Sequence, residues 1–435
     1  MSENLSGPTA SVEASPLAIM VGGMLALAAA MGIGRFAFTP LLPIMLSDGV
    51  IDLPGASWLA SANYFGYLVG ALLCTFQPAI WRRFGGLAPV AASTWVRVGL
   101  AATCVLTLGM ALHLPAWWPV LRFAAGVASA LVFVFTSGWC LSQLAKRGSS
   151  ALGAAMYAGP GAGIALSGFF ASGMVAMHWT ATAGWLIFGV LATGLTVCVW
   201  GTFHHKSEKK ELSVATASAA TTASANALAA PSPPMTNAGG VASRHQVGML
   251  ALAYGLAGFG YIITATFLPV IARQALPPSV LLDMFWPLFG LGVVLGALLS
   301  SRISLSGDLR YLLSGCYFVQ ALAIAVCILR PTLAGFALSS LLLGLPFTAI
   351  TFFAMQEVRR LRPLSAASYM GLLTAMYGLG QIAGPPMVAV FLRRAASLAE
   401  GFAVSLEIAA ISLLLGAALY LWMVRLWPLR RAHPV

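Results

Sequence analysis

Charged side chains are scarce in this chain, and those buried inside its apolar stretches divide by half. Arg35, Arg97 and Arg122 lie in the first half, while Asp283 and Glu407 lie in the second, with Glu357 near the end of an apolar run. A charge inside a bilayer costs about 2.5 to 3.5 kcal/mol by insertion scales, so it tends to face a cavity or a partner. Arg35 is the foremost candidate. It follows Gly32-Ile33-Gly34 and precedes Pro40, which frees backbone carbonyls, and it sits about 6 Å along the axis from the middle of its helix at about 1.5 Å per residue. A guanidinium there offers five donors suited to a carboxylate or a phosphate. The alternatives are pairing with an acid of the other half, or snorkelling. A carboxyl that alternates between buried and wet surroundings can take up and release a proton. Asp283 and Glu407 are therefore the candidates for proton coupling. For Asp283 the competing explanation is the favourable dipole of a helix start, and for Glu407 a salt bridge to Arg393 or Arg394. Arg122 lies within two turns of a helix end, and Arg97 suits a structural pair.

Uncharged polar and aromatic groups would complete a binding site: Asn63, Tyr64 and Tyr67, then Tyr157, Tyr261, Tyr377 and Gln381. Pockets are mostly apolar with a few placed polar groups, a role that hydroxylated rings suit. Taken singly, each tyrosine is as readily an interfacial or packing residue. No histidine falls deep in an apolar run, which leaves metal hydrolysis and Ser/His chemistry without apparatus. There is no Gly-x-x-x-x-Gly-Lys-Ser/Thr loop, so ATP is not the energy source, and no cofactor is expected.

The elements that must carry these residues follow from composition. At 60% hydrophobic and 8% charged over 435 residues, the chain is far from a soluble domain. A bilayer core of ~30 Å needs ~20 apolar residues per helical crossing. Twelve such runs occur, at about 17–45, 56–80, 87–112, 116–144, 149–176, 180–203, 246–272, 280–302, 309–329, 332–358, 365–392 and 402–427. They are too long for barrel strands and lack period-2 alternation. The expected fold class is therefore an all-α membrane protein. Between 204 and 245 a charged patch and an Ala/Ser/Thr/Pro tract form an expected disordered linker. The division is then a tail at 1–16, a six-helix bundle at 17–203, the linker, a second bundle at 246–427 and a tail at 428–435.

The net charge of +12 needs no nucleic acid to explain it. With a cytoplasmic N-terminus, 16 Lys and Arg fall on the inner side against four (Arg273, Arg330, Arg393 and Arg394) on the outer, with Arg35, Arg97 and Arg122 inside helices. That is the positive-inside pattern, with both termini in the cytoplasm. The six cysteines show no paired spacing and read as small apolar side chains.

The halves also repeat each other. Gly32-Ile33-Gly34 with Leu42-Pro43 matches Gly258-Phe259-Gly260 with Leu268-Pro269 at an offset of 226, and Gly66-x-x-x-Gly70-Ala71-Leu72-Leu73 matches Gly292-x-x-x-Gly296-Ala297-Leu298-Leu299 at the same offset. Ala155-Met156-Tyr157 echoes Ala375-Met376-Tyr377 at 220. Duplicated helical units are the usual build of secondary transporters. On this register Tyr261 is the counterpart of Arg35, and the two would face each other across the pseudo-twofold axis.

Six plus six spans with a long central loop resemble the major facilitator superfamily. The run from Met31 to Met45, followed by Ala62-Asn63-Tyr64-Phe65-Gly66-Tyr67-Leu68-Val69-Gly70, resembles its YbfB/YjiJ branch. Arg122-x-x-x-Gly126 resembles the superfamily's Arg motif, which implies a part in proton coupling for Arg122. Gly159-Pro160-Gly161-Ala162-Gly163 partly resembles the Gly-Pro motif of exporters, with a second version at Gly380-x-x-x-Gly384-Pro385. The loop Ala79 to Gly86 keeps an Arg pair but lacks the usual acid. The resemblance implies a monomeric inner-membrane carrier whose partners are a small-molecule substrate and membrane lipid. The expected substrate is a small organic anion meeting Arg35, moved by alternating access with a proton gradient. An exporter of amphipathic drugs and a non-transporting membrane sensor are the alternatives.

Overall fold

The computed structural model describes residues 15–83, 90–112, 114–149, 152–203, 244–303, 307–362 and 366–429. Twelve apolar helices among them are long enough to cross a bilayer: α1 Pro16–Ser47, α2 Leu53–Gln77, α3 Ala92–Gly109, α4 Pro115–Lys146, α5 Met156–Ala176, α6 Ala181–Trp200, α7 His245–Ala275, α8 Leu281–Ser300, α9 Leu309–Leu329, α10 Leu333–Leu361, α11 Tyr369–Arg394 and α12 Leu398–Leu426. Every expected span is present. The largest shift is at α5, where Gly148 closes α4 in the left-handed region (φ +65°) and Leu152–Ala155 makes a separate turn. The linker at 204–243, the first 14 residues, the tail from 430 and the side chains of the Ala79 to Gly86 loop lie outside the described residues.

Local chemistry fixes the helix starts. Ser15, Thr180, Asp308, Thr332 and Ser397 each accept a hydrogen bond from a backbone N–H of the following turn. Between helices, packing depends on small residues. A Cβ on Gly66 would strike the Phe123 carbonyl, and one on Gly126 would strike that of Asn63, so α2 and α4 touch backbone to backbone. The second bundle repeats this: Gly292 and Gly296 of α8 lie against Leu341 and Leu345 of α10, and Gly344 lies against Phe289. The bundles meet along two seams. On one, α2 packs on α11, with Leu68 beside Gly378 and Thr75 beside Gly371. On the other, α5 packs on α8, with Gly161 beside Gly290 and Gly168 beside Pro287.

The repeats part company in one place. The first span is α-helical over Pro16–Leu27, widens to a π-helix over Ala28–Arg35, turns at Phe36 and Ala37, and resumes over Phe38–Ser47. Its counterpart runs unbroken from Arg244 to Ala275. Pro40 supplies the difference, because it stands where the second copy has Thr266 and cannot donate a ladder bond. The Thr39 N–H instead reaches the Phe36 carbonyl at 3.1 Å, which leaves the Gly34 and Arg35 carbonyls to find other donors. π-Segments inside helices frequently mark functional sites.

Candidate functional site

Arg35 closes the π-segment and is 3% exposed. Its Nη2 donates to Gln381 Oε1 of α11 at 2.7 Å. Its guanidinium carbon lies 3.7 Å from the centre of the Tyr67 ring, with the Phe36 and Tyr64 rings at 5.2 and 5.6 Å. Gln381 Nε2 in turn donates to the Tyr261 hydroxyl. One side-chain amide therefore joins the two repeat-equivalent residues. Two further bonds cross the same interface at this depth: the Tyr64 and Thr266 hydroxyls share one at 2.9 Å, and Ser61 Oγ donates to the Ile382 carbonyl at 3.1 Å.

The charge of Arg35 is not neutralised. Gln381 is a neutral acceptor, and Arg35 Nε has no partner. Among the described residues the ion pairs join Arg273 to Asp283 and, elsewhere, Arg310 and Arg360 to Asp308 and Glu357. None reaches Arg35. Around it the walls are aromatic: Tyr377 stacks between Tyr254 (4.7 Å) and Tyr261 (5.7 Å), and Phe347 meets Tyr261 and Phe36 edge-on at 5.1 and 6.1 Å. Such low-dielectric walls focus the field of a cation.

Exposure gives the cluster a direction. Arg35, Asn63, Tyr64, Tyr261 and Gln381 are buried, while Tyr67, Tyr157 and Tyr377 are half-buried. Tyr67 follows Tyr64 in a helix running toward the face where α1 begins, Tyr377 precedes Gln381 in a helix leaving that face, and Tyr157 stands at the start of α5. The accessible side of the cluster thus looks toward the α1-start face. Toward the opposite face, Phe38–Ser47 packs on α7.

Arg122 and Asn63 bond to backbone carbonyls beside this site. Arg122, 2% exposed, donates from Nη1 to the Gly34 carbonyl at 3.2 Å and from Nη2 to the Arg35 carbonyl at 2.9 Å. These acceptors lie where the ladder of α1 breaks. Asn63 Nδ2 donates to the Arg122 carbonyl at 2.9 Å, tying α2 to α4. The carboxyl candidates lie elsewhere. Asp283 pairs with Arg273 between the end of α7 and the start of α8, and Glu407 is exposed on α12 with no ion pair to Arg393 or Arg394. Arg97 has a carbonyl and a ring as neighbours: it donates to the Trp200 carbonyl at 3.0 Å and lies 5.2 Å from the Trp200 ring.

A family model described as the uncharacterised MFS-type transporter YbfB matches residues 27–421. The chain belongs to this family. It is a multi-pass membrane transporter of the MFS type, not an enzyme. A search of curated proteins finds no match. Among solved structures, a mutant of the nucleoside transporter NupG aligns with a TM-score of 0.66 at 14% identity, covering 94% of this chain and 99% of that one. A second NupG structure aligns at 0.62 and 15% over the same shares. At this identity the likeness shows the major facilitator fold, with its two six-helix bundles.

One feature of this YbfB-family chain escapes sequence reasoning. On the α1-start face of the second bundle, Arg310, fully buried, pairs with Asp308 at 2.7 Å and lies 3.8 Å from Glu357, while Arg360 pairs with Glu357 at 2.7 Å and with Asp308 at 3.5 Å. Arg310 also donates to the carbonyls of Met423 and Trp427 at 2.9 and 2.8 Å, so the cluster fastens α9, α10 and α12 together. Burial alone would raise the Asp308 carboxyl. Its hydrogen bonds from Arg310 and the charges of Arg310 and Arg360 outweigh that and hold it below the usual carboxylate range. In the sequence Glu357 stands out only as an acid near the end of an apolar run, and the others pass for ordinary positive-inside charges and a helix cap. The usable signals were Asp308 two residues before Arg310, and Glu357 three before Arg360.

Proposed function

We infer that this transporter carries a small organic anion by alternating access, with Arg35 as the group that meets the charge. The observation that supports this is the buried, unneutralised guanidinium between the bundles at mid-depth, with only neutral partners and an unpartnered Nε. A site that keeps a cation without a carboxylate is held ready for an anion from outside, because an unpaired buried charge is costly. Transport measured in proteoliposomes with Arg35→Lys and Arg35→Ala tests the reading. Both variants lose at least about 90% of anion uptake, Lys because a point charge cannot replace the planar fork. Equal uptake by all three proteins would sink it.

The positive-inside split supports an inner-membrane protein with both termini cytoplasmic, and on that orientation the accessible side of the cluster faces the cytoplasm. The carrier works as a monomer. Coupling to protons is assigned to Asp283, which exchanges its Arg273 partner for a proton at the face opposite the α1 start. Asp283→Asn then abolishes accumulation driven by an imposed pH gradient while counterflow continues, and Glu407→Gln changes neither. Gradient-driven accumulation persisting in Asp283→Asn would place coupling elsewhere.

A further inference from the structure

We propose that the carboxamide of Gln381 is an internal surrogate for the substrate's carboxylate. This rests on the anion-carrier reading and narrows it to a class. The amide spans two residues that the repeat makes equivalent, accepting from Arg35 on one side and donating to the Tyr261 hydroxyl on the other. Those two residues flank the axis about which the bundles are related, which is where a shared ligand has to bridge them. A carboxamide is planar, trigonal and of the same size as a carboxylate. A carboxylate replacing it accepts from Arg35 through one oxygen and from the Tyr261 hydroxyl through the other, with no change in heavy-atom layout. The tyrosine simply turns from acceptor to donor. A tetrahedral phosphate has no such match.

Two consequences follow from the chemistry. The charged acceptor makes the stronger bond, roughly twice that of a neutral one, so the substrate displaces Gln381 instead of adding to it. Gln381 belongs to the second bundle and Arg35 to the first. The surrogate therefore ties the bundles when no substrate is present, and a bound carboxylate takes that tie over from Gln381.

Chemical rescue tests this. In Gln381→Ala the vacated slot takes acetate at tens of millimolar, which raises the melting temperature by at least about 2 °C. Acetate shifts the wild type by less than the variant, because there it must first displace the amide, inorganic phosphate shifts neither protein, and the acetate effect vanishes in the Arg35→Gln/Gln381→Ala double variant. The volume-preserving Gln381→Glu gives a second reading should the alanine variant not fold. It melts at or above the wild type, and below Arg35→Gln when the two are combined, because its carboxylate is then buried unpaired. No acetate shift in a folded Gln381→Ala, an equal shift by phosphate or in the double variant, or a Gln381→Glu effect independent of Arg35 would overturn the proposal. Acetate rescue alongside Arg35-independent transport would remove the anion-carrier reading and the surrogate with it. Arg35-dependent anion transport without rescue would remove only the surrogate.

Discussion

A guanidinium surrounded by apolar helices must find acceptors, and the two central arginines find different kinds. Arg122 has two backbone carbonyls, those of Gly34 and Arg35, and its loss leaves both bare in the interior. Arg122→Gln is therefore destabilising by about 1–3 kcal/mol, seen as a lower melting temperature. Arg35 has a neutral amide and the face of Tyr67. Arg35→Gln removes a buried unneutralised charge and is expected to melt no lower than the wild type, while transport is lost. A fall in stability equal to that of Arg122→Gln would show Arg35 to be a structural residue. Arg35 was legible in the sequence because a charge among apolar residues stands out, and Tyr261 because the repeat pairs it with Arg35. The true partner of Asn63 was not. A short amide on a helix reaches whatever backbone the neighbouring helix presents, and that depends on how closely Gly66 and Gly126 let α2 and α4 approach.

Among the helices, glycine placement separates contact from mere composition. Added Cβ atoms at Gly126 and Gly344 meet carbonyl backbone, whereas those at Gly138 and Gly194 meet nothing within 4 Å. Gly126→Ala and Gly344→Ala are expected to lower the melting temperature clearly. Gly138→Ala and Gly194→Ala are expected to leave it unchanged or raise it, since Ala is favoured over Gly inside a helix by about 0.5–1 kcal/mol. Thermal melts of the four variants check the contrast. The twelve spans were readable because each needs a run of apolar residues that nothing else in a chain requires. The break in α1 was only half readable: Pro40 announced an interrupted ladder, but that Arg122 of α4 collects the Gly34 and Arg35 carbonyls is a fact of packing.

At the level of the whole molecule, the two bundles are asymmetric in how they are tied. The first is fastened through Arg122 at the broken helix, and the second through the Asp308, Arg310, Glu357 and Arg360 cluster on the α1-start face. That cluster was hidden in the sequence because charges at helix ends look alike whether solvated or paired. Asp308 titrates lower in the folded protein than its ordinary value of about 3.9. Its pairing therefore contributes fully above that value and is lost as pH falls through the depressed one. Asp308→Asn is expected to lower the melting temperature at pH 7 and to flatten its decline below about pH 4; an unchanged acid limb would remove Asp308 from the account. The seams of α2 with α11 and α5 with α8 leave the central cation between two bundles that can rock about it. The most direct test of that cation is a thermal-shift comparison of purified wild type and Arg35→Gln against carboxylates, phosphate esters and cationic dyes. The account predicts that carboxylates raise the melting temperature of the wild type and not of Arg35→Gln. Carboxylate shifts of equal size in both proteins, or shifts with cationic dyes alone, would contradict it.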